Sequence, residues 1–491
     1  MSHNIQAKYI LPFFLLIISQ FSLSAQSDNF KNYKPLESNS KLKSATLNTL
    51  TERYKALFQN LPSEYKDKYK ELYTDMQTEK MKSVENEGYL FNDYFQTFFD
   101  NILNEIKRGN PNLPLTDIKF LISRSYIPNA SASLEAIIVF NLGLLSNCDN
   151  ESQVAFIICH EIAHHQLKHS QKFIKKYFDA LYSKNGQNEL KKIIQGKYDT
   201  YEKAEKYIKS LMFDRSKHSR DSEQQADSLA LIYLSNTRFD ATQSSVQLLK
   251  LDVVDSLMYI PTFDLTKVFD TPQYRFKKSW LDEEETMFGK GKRVFDDKWN
   301  EDSLKTHPSC QKRAQIIKNA LSNYINKDKS ANLQSVESFS VAVINSEFET
   351  IIAAFDFDKV DYALFQTLNL LKKYPENVFL QAMVGHCFNA LFDGQKDHHF
   401  SKLVSMPSKD LPKDYQPFIR FLNNLTLREI ALVNYHYVTR QNKAFLQDEF
   451  FLYNTLLAAK NAELKEEAKT YKSLYLTNFP KGKYKDLVLK L

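Results

Sequence analysis

The chain has 491 residues, too many for one ordinary core, which argues for two or three domains. Its 43% hydrophobic and 25% charged residues form a globular mixture and exclude disorder along the whole length. The net charge of +6, from 65 basic and 59 acidic residues, is mild, and no basic stripe with interleaved aromatics marks a nucleic-acid surface.

Ten glycines and 14 prolines beside 27 tyrosines and 36 phenylalanines point to a mainly α-helical protein with large aromatic anchors. The N-terminus reads as a signal peptide over 1–25. Lys8 is followed by an apolar run from Ile10 to Ile18 and by small residues ending at Ala25. An uncleaved anchor is the alternative, but the apolar core is about ten residues against the roughly 20 of a spanning helix. A polar stretch over 26–42 reads as a flexible leader. No other segment is read as long and apolar enough to span a membrane, so the expected location is periplasmic or secreted.

Helical periodicity fills 43–108. Leu47, Leu50, Tyr54 and Leu57 share one face, and Leu90, Tyr94, Phe98, Ile102 and Ile106 form a second stripe. Alternation at Ile118, Phe120 and Ile122, then the apolar run Ala136 to Phe140, predicts two strands separated by Pro128-Asn129-Ala130. A helix is expected from Ser152 to about Leu167, capped by Asp149 or Asn150. Further helices are expected over 171–211 and 219–235, then a loop-rich part with Trp280 and Trp299, and a helix starting at Pro308. From 340 to 491 the pattern is of short helices alone. Ala363 and Pro375, like Ala468 and Pro480, are twelve apart, a spacing shared with tetratricopeptide hairpins; an irregular helical domain is the alternative. Cys148, Cys159, Cys310 and Cys387 show no paired metal spacing, and no disulfide is expected.

The chemistry concentrates at His160-Glu161-Ile162-Ala163-His164. Residues four apart on an α-helix sit about 40° apart around the axis and about 6 Å along it. Both imidazoles therefore reach one ion, and Glu161 is placed to take a proton from water. Glu223, on a second predicted helix, completes a three-ligand zinc site with an open position, as in a hydrolase. Asp227, one turn on, is placed to accept the free ring N–H of a ligand histidine.

With these residues in view, the stretch from about 118 to 315 resembles the HtpX and CAAX-prenyl-protease family of zinc metallopeptidases, family forty-eight. The resemblance rests on Pro128-Asn129-Ala130, Gly143-Leu144-Leu145, His160 to His164 with His169, Ser219-Arg220 with Glu223, Ala226 and Asp227, and Thr306-His307-Pro308 with Arg313. It implies an α+β gluzincin domain over 43–330, with one zinc ion held by His160, His164 and Glu223. This is followed at 340–491 by an all-α, tetratricopeptide-like domain suited to protein partners. Glu161 would be the general base. His307 would either stabilise the oxyanion or occupy the open metal position. Arg220 would pair with Asp227 or a neighbouring acid, Arg313 would support the His307 loop, and His165 and His169 would be structural or lie behind the ligands. Asn129 and Ala130 would form the edge that takes an extended polypeptide substrate. The expected activity is zinc-dependent endopeptidase action on exported or envelope proteins, in a quality-control setting. A chaperone or adaptor with a secondary zinc site is the main alternative, and a non-peptide hydrolase a third. Nucleic-acid partners are not expected.

Overall fold

A computed structural model describes residues 32–86, 88–113, 118–194, 220–283, 310–324 and 329–491. The signal-peptide reading, Trp299, His307 and Pro308 lie outside them. The fold is mainly α with one small sheet, as the composition indicated. Contacts divide the chain into two units. Of the described residues, one unit comprises 36–258 with 310–353; the other comprises 259–283, 354–491 and 32–35.

The first unit is built around three strands, β1 (Lys119–Ser123), β2 (Ala130–Ala132) and β3 (Ile137–Asn141). β3 is central, parallel to β1 and antiparallel to β2. Alternation sends Phe120, Ile122, Ile138 and Phe140 to one face, into the core with Phe95, Phe98, Phe99, Ile102 and Ile106 of α3 (Asp93–Gly109). Leu121 and Ile137 go to the other face, against Leu50 and Tyr54 of α1 (Ser40–Gln59) and Val84 of α2 (Lys66–Glu85). With both faces covered, Leu121 is apolar and buried like Phe120 and Ile122 on either side of it. Leu90, the first member of the predicted stripe, lies before α3, and Asn92 caps that helix by accepting from Tyr94 N and Phe95 N.

α1 and α2 also hold the β2–β3 turn. Arg53 Nη1 donates to the carbonyls of Glu135 (2.7 Å) and Ala136 (2.9 Å), and Lys80 Nζ lies 2.9 Å from the buried Glu135 Oε1. Ala136 has φ 59°, a left-handed conformation unusual for a residue with a Cβ, and these contacts hold it there. The other helices of eight or more residues in the described part of this unit are α4 (Glu151–Gln166), α5 (His169–Tyr182), α6 (Lys184–Ile194), α7 (220–235), α8 (Gln243–Leu257), α9 (Cys310–Ala320) and most of α10 (Val336–Asp356). All four cysteines are buried free thiols.

Three expectations need correction. The leader to residue 42 is anchored over its described part: Leu36 N donates to Glu349 Oε1 (2.7 Å), Arg124 Nη2 to Leu36 O (3.0 Å) and Asn39 N to Phe91 O (2.6 Å). α10 is long and apolar enough to cross a membrane, contrary to the reading that no such segment follows the N-terminus; Phe348, Ile351 and Ala342 are buried in protein, which accounts for its apolarity. The single domain over 43–330 is interrupted, because 259–283 belongs to the second unit.

In that second unit, α11 (Val360–Lys373), α12 (Val378–Lys396), α13 (Gln416–Asn423), α14 (Leu427–Thr439), α15 (Glu449–Asn461) and α16 (Lys465–Asn478) form the body. The segment after Met258 inserts aromatics among them. The Phe269 ring lies 5.3 Å from Phe388 and 5.2 Å from Phe421, and Trp280 Nε1 donates to Glu429 at 3.1 Å. These anchors have no helical period, so sequence periodicity passes over them. A Cβ on Gly385 of α12 would stand 2.9 Å from Val438 Cγ1, which shows how closely α12 and α14 approach.

Gly143, just after β3, donates its N–H to Ser125 O (3.0 Å), and a Cβ there would lie 2.0 Å from Tyr126 O. Gly143→Ala must move backbone on one side or the other. The expected cost is about 1–3 kcal/mol, read as a lower urea midpoint at unchanged slope.

Candidate metal centre

α4 is capped by Asn150, whose side chain accepts from Gln153 N at 3.0 Å. The buried Glu151 carboxylate ties that end down by accepting from Leu333 N (2.8 Å) and Gln334 N (3.0 Å). From Glu151 to Ala163 the helix is buried except at His160, so its apolar residues face core all round. This fixes the direction in which its few polar side chains leave the helix.

His160 and His164 emerge one turn apart, with their Nε2 atoms 3.0 Å from each other. Glu223 of α7 meets both: its Oε2 is 3.4 Å from His160 Nε2 and its Oε1 is 3.3 Å from His164 Nε2. The three side chains offer ligand atoms all within 4.8 Å of one another. Tetrahedral zinc bonds of about 2.0–2.1 Å set neighbouring ligand atoms about 3.3 Å apart, so the separations fit such an ion. Two imidazole nitrogens and a carboxylate oxygen are also a donor set suited to zinc.

Behind the ligands stands a buried ionic group. Asp227 Oδ1 lies 2.9 Å from His160 Nδ1, as its place one turn after Glu223 suggested. Arg313 of α9 grips Asp227 through Nε (2.6 Å) and Nη2 (2.8 Å), and its Nη1 lies 2.9 Å from Glu223 Oε2. Sequence reading paired Arg220 with Asp227 or a neighbouring acid and gave Arg313 to the His307 loop. The carboxylate is instead held in two-pronged fashion by Arg313, while Arg220 is exposed at the start of the described part of α7. The signal that could have found this is the buried face of α9: Arg313 sits beside Ala314 and three residues after Cys310, both buried.

Electrostatics follow from this packing. Burial would raise the carboxyls of Glu223 and Asp227. The hydrogen bonds from His160, His164 and Arg313 outweigh it, holding Glu223 well below and Asp227 below the usual range. Burial would lower His160, but its hydrogen bonds with Asp227 and Glu223 push it up to about 10 in the metal-free protein. Burial lowers His165, and burial with the neighbouring His164 lowers His169.

Glu161 is anchored from the sheet: Ala132 N donates to its Oε2 at 2.7 Å. β2 is an edge strand. Asn129 O accepts from Asn141 N (3.1 Å) and Ser133 N donates to Ile137 O (2.8 Å), so alternate residues from Asn129 to Ser133 face β3. Ala130 and Ala132 therefore turn their main-chain groups outward. Of the expected substrate edge, Ala130 keeps that orientation, whereas the Asn129 carbonyl is spent inside the sheet. Both residues line a cavity of about 280 Å³ with His160, His164, Glu223 and Glu161. Its apolar wall is Leu144, Phe156, Ile157, Leu248 and Leu251.

Two outcomes are expected. Arg313→Met leaves Asp227 and Glu223 buried without their cation and should cost about 3–5 kcal/mol, measured by denaturant unfolding of the metal-free protein. His160, raised from 6.5 to about 10, stabilises the metal-free fold fully below pH 6.5 and loses that contribution as pH rises through 10. Zinc must displace its proton. At pH 7.5 binding should therefore release about one proton per ion, read by calorimetry in buffers of different ionisation enthalpy.

No curated protein matches the chain. Residues 99–321 match the model of peptidase family M48. Over that segment, which holds His160, His164 and Glu223, the chain is thus similar to metallopeptidases of that family.

Proposed function

We propose that the protein is a zinc-dependent endopeptidase. The observation that carries the reading is the convergence of His160, His164 and Glu223 at spacings that fit a tetrahedral ion, with Glu161 beside them. His160, His164 and Glu223 would hold a zinc ion, which would supply Lewis-acid chemistry at the site. Glu161 takes the proton of the attacking water and delivers it to the leaving amine. The Ala132 N–H holds one oxygen of that carboxylate and so fixes its direction. Asp227 fixes the ring of His160, and Arg313 keeps both acidic side chains ionised and oriented.

The substrate is an extended polypeptide. It lies along the outer edge of β2 and uses the main-chain groups of Ala130, which supports β-strand addition as the binding mode. The wall formed by Leu144, Phe156, Ile157, Leu248 and Leu251 suits an apolar side chain next to the cleaved bond. The N-terminal pattern supports export, and with it substrates among envelope or secreted proteins and a part in their quality control. The helical unit, read as tetratricopeptide-like, would receive protein partners. His307 stays assigned to the oxyanion or to the open metal position on the resemblance alone.

The deciding experiment compares wild type with Glu161→Gln. Both should bind one zinc, and cleavage of an unfolded casein-type substrate should fall by about 10²–10⁴-fold in the variant. Undiminished cleavage by Glu161→Gln removes the assigned base, and absence of zinc from both removes the reading itself. Cleavage sites mapped by mass spectrometry should be enriched in apolar residues on one side of the bond.

A further inference from the structure

His160 and His164 are backed differently. His160 has a carboxylate behind it, Asp227, which in its ionised form only accepts. His164 has another imidazole: its Nδ1 lies 2.9 Å from Nδ1 of His169, with ring centroids 4.8 Å apart and planes at 75°. The far nitrogen of His169, Nε2, lies 3.4 Å from Gln225 Oε1 on α7, two residues after Glu223.

His169 is held there by backbone. It is the first residue of α5, and the residue before it, Lys168, has φ 56° and ψ 38°. A left-handed conformation is sparsely populated by residues other than glycine. The turn that it makes is closed by Leu167 N to Ala163 O (2.9 Å) and Lys168 N to His165 O (3.0 Å). Reversing the chain at this point folds His169 back over the last turn of α4.

Two neutral imidazoles that meet through Nδ1 share one hydrogen, and its position decides what His164 can do. His164 Nε2 is the atom at the ligand centre, 3.0 Å from His160 Nε2 and 3.3 Å from Glu223 Oε1. Its lone pair faces that centre only if the ring hydrogen is on Nδ1. In that arrangement His164 Nδ1 donates, His169 Nδ1 accepts, and His169 Nε2–H is directed at Gln225 Oε1. The reverse arrangement puts a hydrogen on His164 Nε2 and closes the site to a cation.

We infer that His169 is a positioning residue for the metal centre: its Nδ1 accepts from His164 and thereby selects the tautomer of His164 that can ligate. Gln225, on the helix of Glu223, completes the chain by accepting from His169. The inference rests on the zinc reading above.

The test is zinc affinity, measured by competition with a chromophoric chelator, on the full chain. His169→Leu removes the acceptor and should weaken binding by about 10–100-fold, with helix content and unfolding midpoint used to confirm a folded protein. His169→Asn keeps an acceptor oxygen near the former Nδ1 and should recover most of the loss, which a merely structural role would not produce. Long-range proton–nitrogen spectra of the zinc-loaded protein, labelled at histidine, should show Nδ1–H for His164 and Nε2–H with bare Nδ1 for His169. Equal affinity of wild type and His169→Leu, or the opposite tautomer of His169, overturns the inference and leaves the zinc reading standing. Absence of zinc binding by wild type overturns both.

Discussion

Two acidic side chains one helical turn apart, Glu223 and Asp227, are packed into the interior next to two histidines, and the site depends on how that charge is balanced. Ionised carboxylates lose several kcal/mol each on leaving water unless they are paired and hydrogen-bonded. Arg313 spans the pair: two of its N–H groups serve Asp227 and a third serves Glu223. His160 contributes from the other side. The contact joins three helices, α4, α7 and α9, that are far apart in sequence. The same group that orients two candidate ligands therefore also fastens the helices carrying them, so that on the proposed function metal affinity and stability would be coupled at one point.

The sheet does comparable work with little material. Three short strands suffice because β3 is covered on both faces, by α3 and α4 on one side and α1 and α2 on the other. The outer edge of β1 is occupied by the Leu90 N–H on Ile122 O (2.7 Å) and by the bridge between Tyr89 and Ser123. The outer edge of β2 is turned instead toward the cleft, where Ala132 holds Glu161. On the proposed function, a strand edge that would otherwise be a liability is the wall along which a polypeptide would lie. Arg53 and Lys80 keep the β2–β3 turn in place, so helices remote from the ligands set the position of that wall.

Much of the site was legible from residue spacing. His160 and His164 must share a face because the helical repeat places i and i+4 together, and Glu223 and Asp227 obey the same rule on α7. The burial of α4 was visible in its continuous apolar run, and the alternation around Phe120 announced β1. Such features are local, and backbone geometry alone converts them into positions.

What the sequence did not disclose depends on contacts between distant segments. The ion pair of Arg313 with Asp227 joins residues 86 apart, and nothing local distinguishes Arg313 from Arg220 as the partner. The approach of His169 to His164 depends on a left-handed Lys168 where the residue type gives no hint of positive φ. The transfer of 259–283 to the second unit depends on where Phe269 and Trp280 find apolar neighbours. Periodicity determines which face a residue is on; which face it meets is decided only when the whole chain has packed.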